Sequence, residues 1–144
     1  MTQSRAPYNT HMKTILIFLL LSSVSYAKEY EAILTAYCPC SHCCSYFIDK
    51  DGVPRFNLRP TVKKVIGQTA CGAMAREGLT LAMPKMFPFG THVYQDGKLL
   101  GVCEDRGGAI RVRENKIKID VYFESHQDAL AFGVKHVTVE VSQP

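Results

Sequence analysis

The stretch Glu104–Phe123, EDRGGAIRVRENKIKIDVYF, decides how the rest of the chain is read. In its second half Ile117, Ile119 and Val121 alternate with Lys118, Asp120 and Tyr122. A period of two marks a half-buried strand. Asp120 therefore points away from the layer made by Ile119 and Val121, toward a groove or a polar pocket. Asp is depleted in strand interiors, so it needs a reason to be there; the bland alternative is an exposed strand carboxylate. Asp105 ends the preceding apolar run, and Gly107-Gly108 breaks the chain after it. Its bland role is that of a turn residue bonding the glycine backbone. Two carboxyl groups brought together by neighbouring strands would suit acid–base chemistry at a glycosidic bond. Between them lies a basic loop with Arg106, Arg111, Arg113, Lys116 and Lys118, read as a solvated hairpin loop or as a surface for an anionic cell-wall polymer.

Working outward, Leu79–Met83 is a brief strand closed by Pro84, and Phe87–Thr91 is a turn. Asp96-Gly97 signals a hairpin between His92–Tyr94 and Leu99–Cys103. Tyr30–Tyr37 is a β-branched and aromatic run, hence a strand. After the acid motif, Ser125 caps a short helix over His126–Phe132, with Asp128 at the third position and Gly133 as the stop. Val137, Val139 and Val141 mark the last strand. Residues 41–68 read as one long polar loop; Asp49-x-Asp51-Gly52 within it has only the opening of a calcium loop. About six short strands with Gly/Pro turns predict an all-β domain, a small barrel or sandwich with one short helix.

The chain has 144 residues, enough for one domain. Residues 1–27 are expected to be a secretory signal peptide, with 12–27 the signal proper. Lys13 precedes the apolar run Ile15–Leu21, which is too short to span a membrane, and Ser25-Tyr26-Ala27 fits a cleavage site. The domain is then 28–144. Losing Arg5 and Lys13 lowers the formal charge from +4 to +2, too mild to imply nucleic acid. The expected protein is an exported monomer, in the periplasm, at the outer membrane or in the extracellular wall, with no transmembrane segment after signal cleavage. Cys38, Cys40, Cys43, Cys44, Cys71 and Cys103 form an even set in an exported small domain, which favours disulfides of undetermined pairing. Zinc at the Cys38–Cys44 cluster is the less favoured alternative, and the expected cofactor is none. His126 is read as an exposed residue at a helix start.

Six segments in order carry a resemblance: Thr35-Ala36-Tyr37; Thr69-Ala70-x-Gly72; Pro84-x-x-x-Pro88-Phe89-Gly90-Thr91; Glu104-Asp105-x-Gly107-Gly108-Ala109-Ile110; Ile119-Asp120-Val121-Tyr122-Phe123; and Ala131-Phe132-Gly133. Together, across residues 33–141, they resemble the 3D domain, named for three aspartates and shared with the barrel of MltA-type lytic transglycosylases. The resemblance implies a six-stranded double-psi β-barrel acting on peptidoglycan glycan strands. It implies cleavage of the MurNAc–GlcNAc β-1,4 bond, with Asp120 as acid and base, Asp105 as its partner, and Thr35, Tyr37 and Thr69 bordering the cleft. Such an acid works best with a raised pKa. The family's third aspartate is replaced here by Met83, which motivates the alternative of a glycan-binding module without catalysis. An inverting hydrolase and a thiolate zinc protein are further alternatives.

Overall fold

The computed structural model describes residues 27–144; the expected signal peptide lies almost wholly outside them. The elements, in order, are β1 (Lys28–Tyr37), α1 (Ser41–Cys44), β2 (Tyr46–Ile48), β3 (Pro54–Phe56), β4 (Arg59–Lys63), β5 (Thr80–Ala82), β6 (His92–Gln95), β7 (Lys98–Asp105), β8 (Val112–Arg113), β9 (Lys116–Tyr122), α2 (His126–Phe132) and β10 (Lys135–Ser142). The protein is mostly β, as expected. Pairing runs β1-β10-β6-β7-β5-β9, and β9 also pairs with β1, so six strands close a ring. Most neighbours are antiparallel, but β1–β9 and β5–β7 are parallel.

The ring encloses one apolar core. Leu34, Leu81, Met83, Phe87, Val93, Ile117, Ile119 and Val139 are fully buried in it. Alternation along β9 sends Ile117, Ile119 and Val121 inward and leaves Lys118 and Asp120 half-buried, as the period of two predicts. Tyr30 packs edge-on against Phe87, with ring centres 5.3 Å apart. Gly101 allows a close approach: a Cβ there would overlap the Leu79 carbonyl, which accepts the Val102 amide at 2.7 Å.

The Asp96-Gly97 hairpin forms as read, with φ of 50° and 71°. So does α2, whose Ser125 oxygen accepts the Asp128 amide at 3.3 Å. Two readings need correction. Residues 41–68 are not one loop, because they hold α1 and a three-stranded sheet, β2-β3-β4. Asp49 makes its first turn: one oxygen accepts the Asp51 and Val53 amides, and the other pairs with Arg55 at 2.7 Å. The calcium-like Asp-x-Asp-Gly run is thus a hairpin turn. The basic loop likewise contains β8, joined to β9 through Glu114-Asn115 at φ 48° and 62°.

Candidate functional site

Strand register builds the site. On β9, Asp120 pairs with Thr35 of β1 on one side and with Ala82 of β5 on the other. Ala82 in turn pairs with Asp105 of β7. Thr35, Asp120, Ala82 and Asp105 therefore form one row across four adjoining strands. A register shift between Leu81 and Ala82 passes over Glu104 and sets Asp105 in the row. Bulges of this kind re-aim side chains beside functional sites.

The row opens into a cleft of about 490 Å³. Both aspartates line it, with Tyr37, Thr69, Ala82 and Tyr122 from the ring side. Its opposite wall comes from the β2–β4 sheet and the chain after it, including Phe56, Arg59, Lys63, Lys64 and Gln68. Asp105 is held by three donors: the Tyr37 hydroxyl at 2.7 Å, the Ala70 amide at 2.9 Å and the Arg106 amide at 2.8 Å. The Gly107-Gly108 backbone is not among these donors. The Thr69-Ala70-Cys71-Gly72 segment presents the Ala70 amide, its turn closed by the Thr69 hydroxyl on the Ala73 carbonyl at 2.9 Å.

Asp120 is served differently. The Thr35 hydroxyl donates to it at 2.6 Å. Burial raises the Asp120 pKa above the usual carboxylate range, the Thr35 bond and Lys118 oppose this, and the charge of Asp105 adds to it. Burial, with the Asp105 charge and hydrogen bond, also holds the Tyr37 phenol protonated. The two acids thus have different surroundings within one cleft. Asp105 is a fixed acceptor, and Asp120 is a partly desolvated carboxyl inclined to keep its proton.

Of the residues expected at the cleft, Asp105, Asp120, Tyr37 and Thr69 line it. Thr35 stands beside Asp120 as its hydrogen-bond donor. Met83 is fully buried in the core. The basic loop is less available than its composition suggests. Arg106 donates to the Met83 and Phe87 carbonyls and to Cys103, and lies 4.1 Å from the Phe89 ring centre. Lys116 pairs with Glu31, and Arg111 with the Gly108 carbonyl. The cations facing the cleft from its far wall are Arg59, Lys63 and Lys64. Sequence reading missed them because they sit in the span taken for a loop. Tyr122, read as core, is buried but also reaches the cleft, with its ring 5.4 Å from that of Tyr37.

The structure joins none of the six cysteines, Cys38, Cys40, Cys43, Cys44, Cys71 and Cys103, in a disulfide. Cys38, Cys40 and Cys43 instead converge on His126, whose Nδ1 lies 3.4, 3.5 and 3.7 Å from their sulfurs. His126 is therefore more than a surface residue at a helix start. Cys44 stands apart, its thiol donating to the Cys38 carbonyl at 3.3 Å. Cys103 is buried beneath Arg106.

The model of the 3D domain family matches residues 80–143. The 3D match takes in β5 to β10, and with them both aspartates, while β1 and the β2–β4 wall precede it. The chain is also similar to the cell wall-binding protein YocH of Bacillus subtilis, at 41% identity over 58 residues. That similarity covers 40% of this chain and 19% of the relative, so the chain spans about a fifth of the length of the curated relative it matches. Among the described residues no helix is long and apolar enough to cross a membrane.

Proposed function

We propose that this protein acts at the cell wall, holding a peptidoglycan glycan strand in the cleft between Asp105 and Asp120. The observation that carries the reading is the shared cleft itself. Two carboxyl groups stand in one strand row, and Tyr37, Tyr122 and Phe56 are near them as apolar surfaces. Sugars offer hydroxyl donors to carboxylates and C–H faces to rings, and a cleft of this size can take such a ligand. Arg59, Lys63 and Lys64 give the far wall a positive charge suited to an anionic wall polymer. The similarity to a cell wall-binding protein points the same way. The closed ring of six strands supports reading the fold as the double-psi barrel of the resembling proteins.

A second reading, cleavage of the bound strand, is favoured by Asp120. A buried carboxyl with a raised pKa, beside a second carboxyl fixed by three hydrogen-bond donors, suits a general acid that later takes back a proton. In a lytic transglycosylase this group protonates the leaving oxygen, and the C6 hydroxyl of MurNAc closes onto C1.

Co-sedimentation with purified sacculi, followed by mass spectrometry of the soluble products, tests both readings. The wild type and Asp120→Asn should both pellet with sacculi; failure of the wild type to pellet overturns the proposal. Anhydro-muropeptides released by the wild type and absent with Asp120→Asn establish cleavage. Pelleting without product leaves the protein as a binding module.

A further inference from the structure

We infer that Cys38, Cys40, Cys43 and His126 form a structural zinc site, closed by four protein donors. The inference stands apart from the cleft reading, because none of its geometry involves the aspartates. The four ligand atoms all lie within 4.8 Å of one another. Zinc holds thiolate sulfur at about 2.3 Å and imidazole nitrogen at about 2.0–2.1 Å in a tetrahedron. Those bond lengths fix the tetrahedron's edges at about 3.8 Å between sulfurs and about 3.5 Å from sulfur to nitrogen. The Cys38 and Cys43 sulfurs are 3.7 Å apart. The distances from His126 Nδ1 to the three sulfurs are 3.4, 3.5 and 3.7 Å. Four of the six edges of a zinc tetrahedron are thus matched, and the two from the Cys40 sulfur to those of Cys38 and Cys43 are within 4.8 Å.

The local chain is shaped for this arrangement. Cys40-Ser41-His42-Cys43 is a C-x-x-C step at the start of α1, a spacing shared with zinc-binding turns. The turn is closed by the Cys44 amide, which donates to the Cys40 carbonyl at 3.0 Å. Cys38 enters from the end of β1, directly after Tyr37. His126 is the first residue of α2 and is placed by the Ser125 cap. A disulfide explains less. It would bring two sulfurs to about 2.05 Å, whereas Cys38 and Cys43 are 3.7 Å apart, and it would give His126 no role.

Four protein ligands leave no open position for water or substrate, so the metal's role is structural. It would tie together the end of β1, α1 and the start of α2. Cys43 lines the cleft, and the β2–β4 wall follows α1 within a few residues. The metal would thus anchor that wall against the ring.

Elemental analysis of the full chain, purified without chelator, provides the test. The expected result is one zinc per wild-type chain. Cys40→Ser and His126→Ala should fall below a tenth of that, while Cys44→Ser and Cys71→Ser keep it. A second measurement that does not depend on the folding of the first two variants loads the wild type with cobalt(II). Thiolate-to-cobalt charge transfer with intense tetrahedral d–d bands, both abolished by excess zinc, supports the site. The inference is overturned by wild-type protein that holds no metal and gives no tetrahedral cobalt spectrum. A mapped disulfide between any two of Cys38, Cys40 and Cys43, or a metal content that depends on Cys44 and not on His126, also overturns it.

Discussion

Asp105 and Asp120 stand on either side of a single strand position, both paired in register with Ala82. Two strand spacings place their Cα atoms about 10 Å apart. The small Ala82 side chain between them leaves the floor of the cleft open. Neither acid gains this neighbour from its own segment. The sheet brings them together, and it gives each a different set of donors.

Asp120→Asn should stabilise the protein at neutral pH. Burial raises the folded-state pKa of Asp120 above its unfolded value. The charged carboxyl is thus penalised in the folded state at high pH, and the penalty disappears once pH falls below the unfolded value. The variant carries no such penalty, and its Thr35 bond can persist to the amide oxygen. Melting curves across pH should show Asp120→Asn melting a few degrees above wild type at pH 7, with the gap closing as pH falls toward the unfolded carboxylate pKa. A gap that is constant with pH contradicts the assignment.

Thr35→Val should push the Asp120 titration further up. The Thr35 hydroxyl donates to the charged carboxylate and so lowers its pKa; removing it leaves burial less opposed. Carboxyl-carbon NMR of the two proteins reads the shift directly. If the protein cleaves glycan, the alkaline limb of its pH profile should move up with it.

Tyr37→Phe removes one of the three donors on Asp105. A hydrogen bond to a charged group contributes about 1.5–3 kcal/mol, so the variant should lose a comparable amount of stability in urea. Sacculus binding should weaken as well, because the carboxylate is freer to turn.

Met83→Asp places an acid where the family pattern has one, yet it should not restore a site. Met83 is fully buried in the core. An uncompensated buried charge costs roughly 3–5 kcal/mol. A lower midpoint in denaturant, without gain in binding or product, is the expected outcome.

Charge reversal should separate the two basic regions. Lys63→Glu with Lys64→Glu alters the cleft wall and should reduce sacculus binding several-fold at low salt, the difference shrinking as salt rises. Arg113→Glu, outside the cleft, should leave binding near the wild-type level.

Much of the ring was legible in the sequence because its signals are local. Alternation along β9 placed Asp120 on the polar face, Asp96-Gly97 made a hairpin, and Ser125 with Gly133 bounded α2. The relationships that make the site are not local. Thr35 meets Asp120 across 85 residues of sequence, and a pairing register at that separation leaves no trace in either segment. The β2–β4 sheet was missed because it buries little: every residue of β4 is exposed, so no apolar period marks it. β8 is two residues long, and its one signal, Asn115 in a two-residue turn, was lost among the charges. The cysteines suggested disulfides because an even set sits in a small domain expected to be exported. Sequence could not show that a histidine more than 80 positions away joins three of them.

β1 pairs with both β9 and β10 and so closes the ring, yet it lies before the segment that matches the family. An excised fragment of residues 80–143 would thus be no independent folding unit. It would expose the flanks of β9 and β10 as unpaired edges, which invite pairing with other copies. Both aspartates would be present, but without the Thr35, Tyr37 and Ala70 donors. The smallest piece worth expressing begins at β1, and a shorter one should be found in inclusion bodies.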